Sequence, residues 1–143
     1  MPFYPSRGQV YKANLNPLVG ADPGREYSGD WKTVLVVQID ALNRNAGTIL
    51  VVPLTTTLKR AEQPSCVYIE RVPGNILTEP CVAICHQVRA LDKNKLRQFC
   101  GQLRSADIKK VVDVIAEIVG HSCSPAQAIP IISPYPQSPK DVQ

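Results

Sequence analysis

Two side chains able to do chemistry stand at the outer ends of two apolar runs. Lys32 opens the run Lys32-Thr33-Val34-Leu35-Val36-Val37-Gln38-Ile39-Asp40, and Thr55 closes Thr48-Ile49-Leu50-Val51-Val52-Pro53-Leu54-Thr55. Both runs are β-branched and aliphatic, and both are too short and too punctuated for a helix, so they predict strands. The stretch Asp40 to Gly47, with its Asn and Gly, predicts the turn between them. Near-continuous apolar character places the two strands in the middle of a packed sheet. In an antiparallel pair the start of the first and the end of the second share one rim. An ammonium and a hydroxyl would meet there, a pair suited to holding an anion and moving protons around it.

Other chemistries lack their signatures. The two histidines, His86 and His121, lie in different regions, and carboxylates nowhere cluster at metal-ligand spacing. No P-loop, nucleophile elbow or dinucleotide fingerprint appears. No metal or other cofactor is therefore expected, and an enzyme built from this chain would run on Lys/Arg, Thr/Ser and His86. The net charge is +4. From His86 to Lys110 there are seven cations (Arg89, Lys93, Lys95, Arg97, Arg104, Lys109, Lys110) against two acids (Asp92, Asp107). Such a balance suits a phosphate-bearing partner, although a solvated face of mixed charge reads the same way.

A length of 143 residues fits one domain with its own core. No apolar run approaches the roughly 20 residues of a membrane helix, and the N-terminus lacks the layout of a signal peptide, so a cytoplasmic protein is expected. Five cysteines, an odd number with no C-x-x-C pair, argue against a disulfide framework. Cys81 and Cys85 read as buried thiols on one strand face, with a redox site as the second reading.

The elements that must position Lys32 and Thr55 follow from pattern. Gln9 to Leu15 alternates and predicts a first strand after Arg7-Gly8. A long connection from Leu18 to Trp31 carries Arg25, Tyr27 and Trp31, and connections of that length are usually functional or disordered. Pro53 demands a bulge or an edge, which would aim Thr55 out of the sheet. Cys66 to Glu70, Cys81 to Cys85 running on to Leu91, and Gln98 to Leu103 predict further strands. Asp92 to Leu96 has room for a turn of helix.

Ser105 as N-cap, Asp107 in the first turn and Gly120 as stop bound a helix. Its apolar stripe is Ile108, Val111, Val112, Ile115, Ile118 and Val119. Five of the thirteen prolines fall between His121 and Gln143, which predicts a flexible or extended tail after a domain of residues 1–120. The fold class expected is mainly β with α: a small SH3-like β-barrel with a C-terminal helix and short connecting helices.

In order along the chain, Arg7-Gly8-Gln9-Val10-Tyr11, Asn16-Pro17, Gly20, Thr33 to Asp40 with Asn43-Arg44, Val51-Val52-Pro53-Leu54-Thr55 and His86-Gln87-Val88-Arg89-Ala90-Leu91-Asp92-Lys93 form a specific set. Over about residues 7 to 119 this set resembles the MazF/PemK family of toxin ribonucleases. The resemblance implies a homodimeric barrel that cuts single-stranded RNA without metal and is held in check by a cognate antitoxin protein. It also implies attack of a 2′-hydroxyl on the adjacent phosphorus, leaving a 2′,3′-cyclic phosphate and a 5′-hydroxyl.

Thr55 matches the family's threonine at the end of the third strand. The family's arginine before the second strand is Lys32 here, a compact point charge in place of a planar fork. Arg25 is the other candidate for the missing guanidinium; Lys32 ranks first because strand register fixes it. His86 stands where most members carry an acid. A histidine there can serve as acid or base near neutral pH, or be a strand-end residue satisfied by backbone. The expected catalytic set is thus Lys32, Thr55 and His86. Arg7, Arg25, Thr56, Thr57, Gln87 and Arg89 are the expected RNA contacts. The competing readings are a CcdB-like toxin of the same fold that binds DNA gyrase, and an inactive barrel.

Overall fold

The computed structural model describes residues 4–15 and 32–121. Arg25, Tyr27, Trp31 and the proline-rich tail beyond His121 lie outside the described residues. Among the described residues seven strands run in the order β1 (Gln9–Ala13), β2 (Lys32–Val36), β3 (Thr48–Thr55), β4 (Cys66–Ile69), β5 (Cys81–Ile84), β6 (Arg89–Asp92) and β7 (Leu96–Gln102). Two α-helices accompany them, α1 (Asp40–Asn43) between β2 and β3 and α2 (Ser105–Ile118) after β7. Among the described residues no helix is long and apolar enough to cross a membrane.

All the strand ladders are antiparallel, in the lateral order β4-β5-β3-β2-β1-β7, with β6 also on β3. β3 is long enough to pair twice on its outer side: Leu54 and Thr55 take Ala83 and Val82 of β5, while Thr48 to Val51 take Asp92 to Arg89 of β6. Between the two ladders β3 has no partner on that side at Val52 and Pro53. A residue without an N–H is tolerated there, so Pro53 sits in a gap of pairing while it still faces Val34 of β2. After a 3-10 turn at Lys93–Lys95 the chain passes from β6 on β3 to β7 on β1. This curl wraps one apolar cluster, formed by Tyr11, Ala13, Leu15, Val34, Val36, Ile49, Val51, Leu91 and Leu96. The pairing path keeps two ends, β4 and β7, so the SH3-like sheet is curled but not closed.

The opposite sheet face carries the second cluster. Val10, Leu35, Val52, Leu54, Val67, Ile69 and Ala83 pack there against Ile108 and Val111 of α2. Val112, Ile115 and Ile118 extend the contact, as the helical spacing predicts, and Val114 joins them from outside the stripe; Val119 is 73% exposed because the helix has ended. The helix starts one residue earlier than the capping pattern suggests: Arg104 is the N-cap and Ser105 the first helical residue. In place of a hydroxyl cap, the helix start is tied down by Asp107. Its Oδ2 accepts from Arg104 Nε and from Asn75 Nδ2, both at 2.7 Å, and Asn75 Oδ1 accepts from the Arg104 N–H. Burial raises the Asp107 carboxyl, yet the bonds from Arg104 and Asn75 outweigh it and hold the acid below its ordinary value.

Asn75 follows Gly74, whose φ of 99° only glycine adopts readily. The next residue, Ile76, exchanges two backbone hydrogen bonds with Gln102 of β7. The β4–β5 connection is thereby pinned at both the helix and the far sheet edge. Gly101 permits this close approach, because a Cβ there would overlap the Ile76 carbonyl.

Two outcomes test this description. Asp107→Asn is expected to cost about 3 kcal/mol at pH 7, the scale of breaking a buried pair. A carboxyl held low contributes stability above its unfolded pKa and loses it as pH falls through the folded one. The gap between variant and wild type in urea unfolding must therefore narrow below pH 3.8, the ordinary value, and a constant gap would contradict the network. Gly101→Ala is expected to destabilise by about 1–3 kcal/mol in the same assay, the cost of overpacking.

Candidate active site

The register of β2 on β3 decides where the two proposed catalytic groups fall. Thr33 faces Leu54, Val34 faces Pro53, Leu35 faces Val52 and Val36 faces Val51. Carried one step further, the same register sets Lys32 level with Thr55 at the end of both strands. Adjacent strands are about 5 Å apart, so the two residues share one lip of the curled sheet. Side chains alternate along a strand, however, and Lys32 belongs to the face of Val34 while Thr33 belongs to the face of Leu54.

A cleft of about 350 Å3 opens on that second face, beside Thr55. Its floor is Val10, Leu54, Leu77 and Cys81, and its polar walls carry Lys12, Thr33, Thr56, Thr78, Glu79 and Gln98. Lys12 faces Thr33 on one neighbour and Gln98 on the other, so three polar side chains form a row across β2, β1 and β7. The facing wall is the segment from Leu77 to Glu79, held by the Ile76 bridge. Thr55 lines the cleft, and its Oγ1 accepts a 3.2 Å bond from the Thr57 N–H. An oxygen so occupied keeps its own hydrogen available to donate. Lys32 is half-buried and does not line the cleft.

The remaining expected contacts scatter. His86 is exposed on a 3-10 turn, Cys85–Gln87, and its Nδ1 lies 2.8 Å from Ser65 Oγ. The turn occupies the gap between the β5 and β6 ladders, level with Val52 and Pro53. His86 lies outside the cleft lining, with its ring held by Ser65 just before β4. Gln87 shares the turn and is half-buried. Arg89 turns inward, with Nη1 donating to the Leu15 carbonyl at 3.2 Å. Arg7 sits at the far end of β2, where its Nε donates to the Val37 carbonyl at 3.3 Å and its N–H to Asp40 Oδ1. Thr56 lines the cleft and Thr57 is exposed beside it. The structure thus brings Lys32, Thr55, Thr56 and Thr57 to one edge and leaves Arg7 at the other.

Sequence reasoning passed over Lys12 and Thr33. The signal was present in the alternation of β1, where Lys12 is the exposed residue between buried Tyr11 and Ala13. No reading of spacing could join it to Gln98, which is 86 positions away and meets it only through the β1–β7 ladder.

The buried thiols Cys81 and Cys85 are passive. Burial, then the Glu79 and Asp107 carboxylates, pushes Cys81 up to about 11, and burial pushes Cys85 up to about 12. Both stay protonated near neutrality, as buried thiols do. Cys66, Cys81, Cys85 and Cys100 are all unbridged. Among the described residues no group of three or more His, Cys, Asp or Glu side chains is placed to hold a metal ion.

Similarity to known proteins identifies the family. Residues 6–119 match the family model described as the PemK-like, MazF-like toxin of type II toxin-antitoxin system. The Endoribonuclease MazF of Staphylococcus saprophyticus is 31% identical over 109 residues, covering 76% of this chain and 86% of that protein. A solved endoribonuclease in complex with its cognate antitoxin, from a mycobacterial species, superposes with a TM-score of 0.63 at 28% identity. That match covers 81% of this chain and 95% of the other. MazF from Deinococcus radiodurans shares the fold, with a TM-score of 0.66 at 20% identity over 83% of this chain and 99% of its own. With its family model matched across both strands of the Lys32–Thr55 lip, the chain belongs to the PemK-like, MazF-like toxins of type II toxin-antitoxin systems.

Proposed function

We propose that this toxin cleaves single-stranded RNA at the Lys32–Thr55 lip, without metal, by attack of a 2′-hydroxyl on the neighbouring phosphorus. The observation that carries the reading is the β2–β3 register, which sets a cation and a hydroxyl level at one edge in a chain from an endoribonuclease family. The 2′-oxygen forms its bond to phosphorus as the bond from phosphorus to the 5′-oxygen breaks. Products are a 2′,3′-cyclic phosphate and a free 5′-hydroxyl.

Each step needs a group. The pentacoordinate phosphorus gathers negative charge on its oxygens. The Lys32 ammonium stabilises that charge and gives a proton to the departing 5′-oxygen, recovering it afterwards from water. Thr55 donates its hydroxyl hydrogen to a phosphoryl oxygen, since Oγ1 already accepts from Thr57. The 2′-hydroxyl proton passes through one water to His86, whose ring is oriented by Ser65. Thr56, Thr57, Gln87 and Arg89 flank the path of the strand, with Arg25 as a further phosphate contact; Arg7, held at the opposite end of β2, takes no part. The toxin acts in the cytoplasm as a homodimer and is restrained by a cognate antitoxin, in keeping with the mycobacterial relative that was solved with its own.

The test is cleavage of a long single-stranded RNA in excess EDTA, with the ends mapped. Cyclic phosphate and 5′-hydroxyl ends are expected, and 5′-phosphate ends would contradict the mechanism. Thr55→Ala and Lys32→Ala should each lower kcat by about 10²–10³-fold with little change in KM, the scale of losing one donor to a developing anion. A Thr55→Ala protein as fast as wild type would remove the site. His86→Gln should lower kcat by about 10²-fold with little change in KM, the scale of losing a general base, and an unchanged kcat would remove His86 from the mechanism.

A further inference from the structure

The cleft beside Thr55 has a composition that the cleavage chemistry does not use. Its floor is apolar, its two polar walls differ in charge, and its volume of about 350 Å3 exceeds what one nucleobase fills. One wall is the row Thr33, Lys12 and Gln98, built on three paired strands. Lys12 is exposed and has no ion pair among the described residues. The other wall ends in Glu79, an exposed residue that lines the cleft. Both walls are anchored. The strand row is laced by ladders, and the Glu79 segment hangs between the Ile76–Gln102 bridge and the start of β5.

We infer that this cleft is a base-reading subsite, in which Glu79 accepts a hydrogen bond from the exocyclic amino group of a nucleobase next to the cleaved bond. The inference rests on the RNA-cleaving reading above. A carboxylate accepts from an amino group such as cytosine N4 and has nothing to offer the keto oxygen of uracil. The apolar floor receives the flat of the ring. Lys12, across the cleft, meets the phosphate of the same nucleotide, and Gln98 supplies an amide that can donate or accept at the ring edge. Cleavage at the lip and reading in the cleft then share Thr55, which links the choice of base to the position of the scissile phosphate.

The experiment uses the full-length protein and uncleavable 2′-O-methyl RNA hexamers, so that binding is measured apart from cleavage. Six hexamers each place a single cytosine in a uracil background, and hexauridylate serves as reference. Fluorescence anisotropy should show one or two of the six binding about tenfold or more tighter than the reference. Glu79→Gln should bring those hexamers to within about threefold of it, because an amide can also donate to uracil. Lys12→Ala should weaken all seven alike, with a shallower salt dependence.

Equal binding of all seven by wild type would overturn the subsite, as would a Glu79→Gln protein that keeps the cytosine preference. Loss of antitoxin binding by Glu79→Gln with RNA binding unchanged would assign the cleft to a protein segment and overturn it too. Selective binding by a protein that cuts no RNA would leave the subsite standing while removing the proposed function.

Discussion

Antiparallel pairing of β2 with β3 is the constraint on which the rest depends. Four consecutive pairs, from Thr33–Leu54 to Val36–Val51, fix which residues are level at the open end of the sheet. Side chains alternate with a period of two, so a slip of one residue would exchange the two apolar clusters and turn every buried valine to the wrong face. Leu35 and Val52 serve the helix-side core while Val34, Val36 and Val51 serve the inner cluster, and all five are fully buried. The register is therefore held by the packing on both faces at once. Its functional consequence comes at the strand ends, where packing stops and polar groups begin.

The second support is the strut formed by the β4–β5 connection. Asp107, Asn75 and Arg104 join this segment to the start of α2, and the Ile76–Gln102 bridge joins it to β7. Glycine is required at Gly74 within it, for a left-handed turn, and at Gly101 of β7, for close backbone approach. A charge pair that ties a helix start to a loop also shapes a cleft, because the loop continues directly into Leu77, Thr78 and Glu79. Stability at the helix and geometry at the site are thus coupled through about six residues of chain.

Much of the fold was legible in residue patterns. Alternation in β1, apolar continuity in β2 and β3 and the 3.6-residue stripe of α2 each matched a burial demand that the structure meets. What misled were places where a tertiary partner replaced a local signal. Ser105 looks like a cap, but Asp107 is anchored by Asn75 from 32 positions away, and the helix begins at Ser105 itself. The stretch Asp40 to Asn43 reads as turn, yet Asn43 is fully buried and donates from Nδ2 to the Gln38 carbonyl, and the segment closes into the short α1. His86 follows an apolar strand in sequence but leaves the sheet on a 3-10 turn, because β3 switches partner there from β5 to β6. Of the site, the Lys32–Thr55 juxtaposition was legible because it is local to one hairpin. The Lys12–Gln98 row was not, because it depends on the β1–β7 ladder, which no local pattern encodes.

The central claim is that one phosphodiester lies between Lys32 and Thr55. A crystal structure of the toxin with an RNA strand bearing a 2′-deoxy residue at the cleavage point tests it most directly, since the nucleophile is absent and the bond survives. The account predicts the scissile phosphate within hydrogen-bond distance, about 2.7–3.1 Å, of both Lys32 Nζ and Thr55 Oγ1. A phosphate bound elsewhere, with either of those atoms facing only solvent or protein, would contradict it.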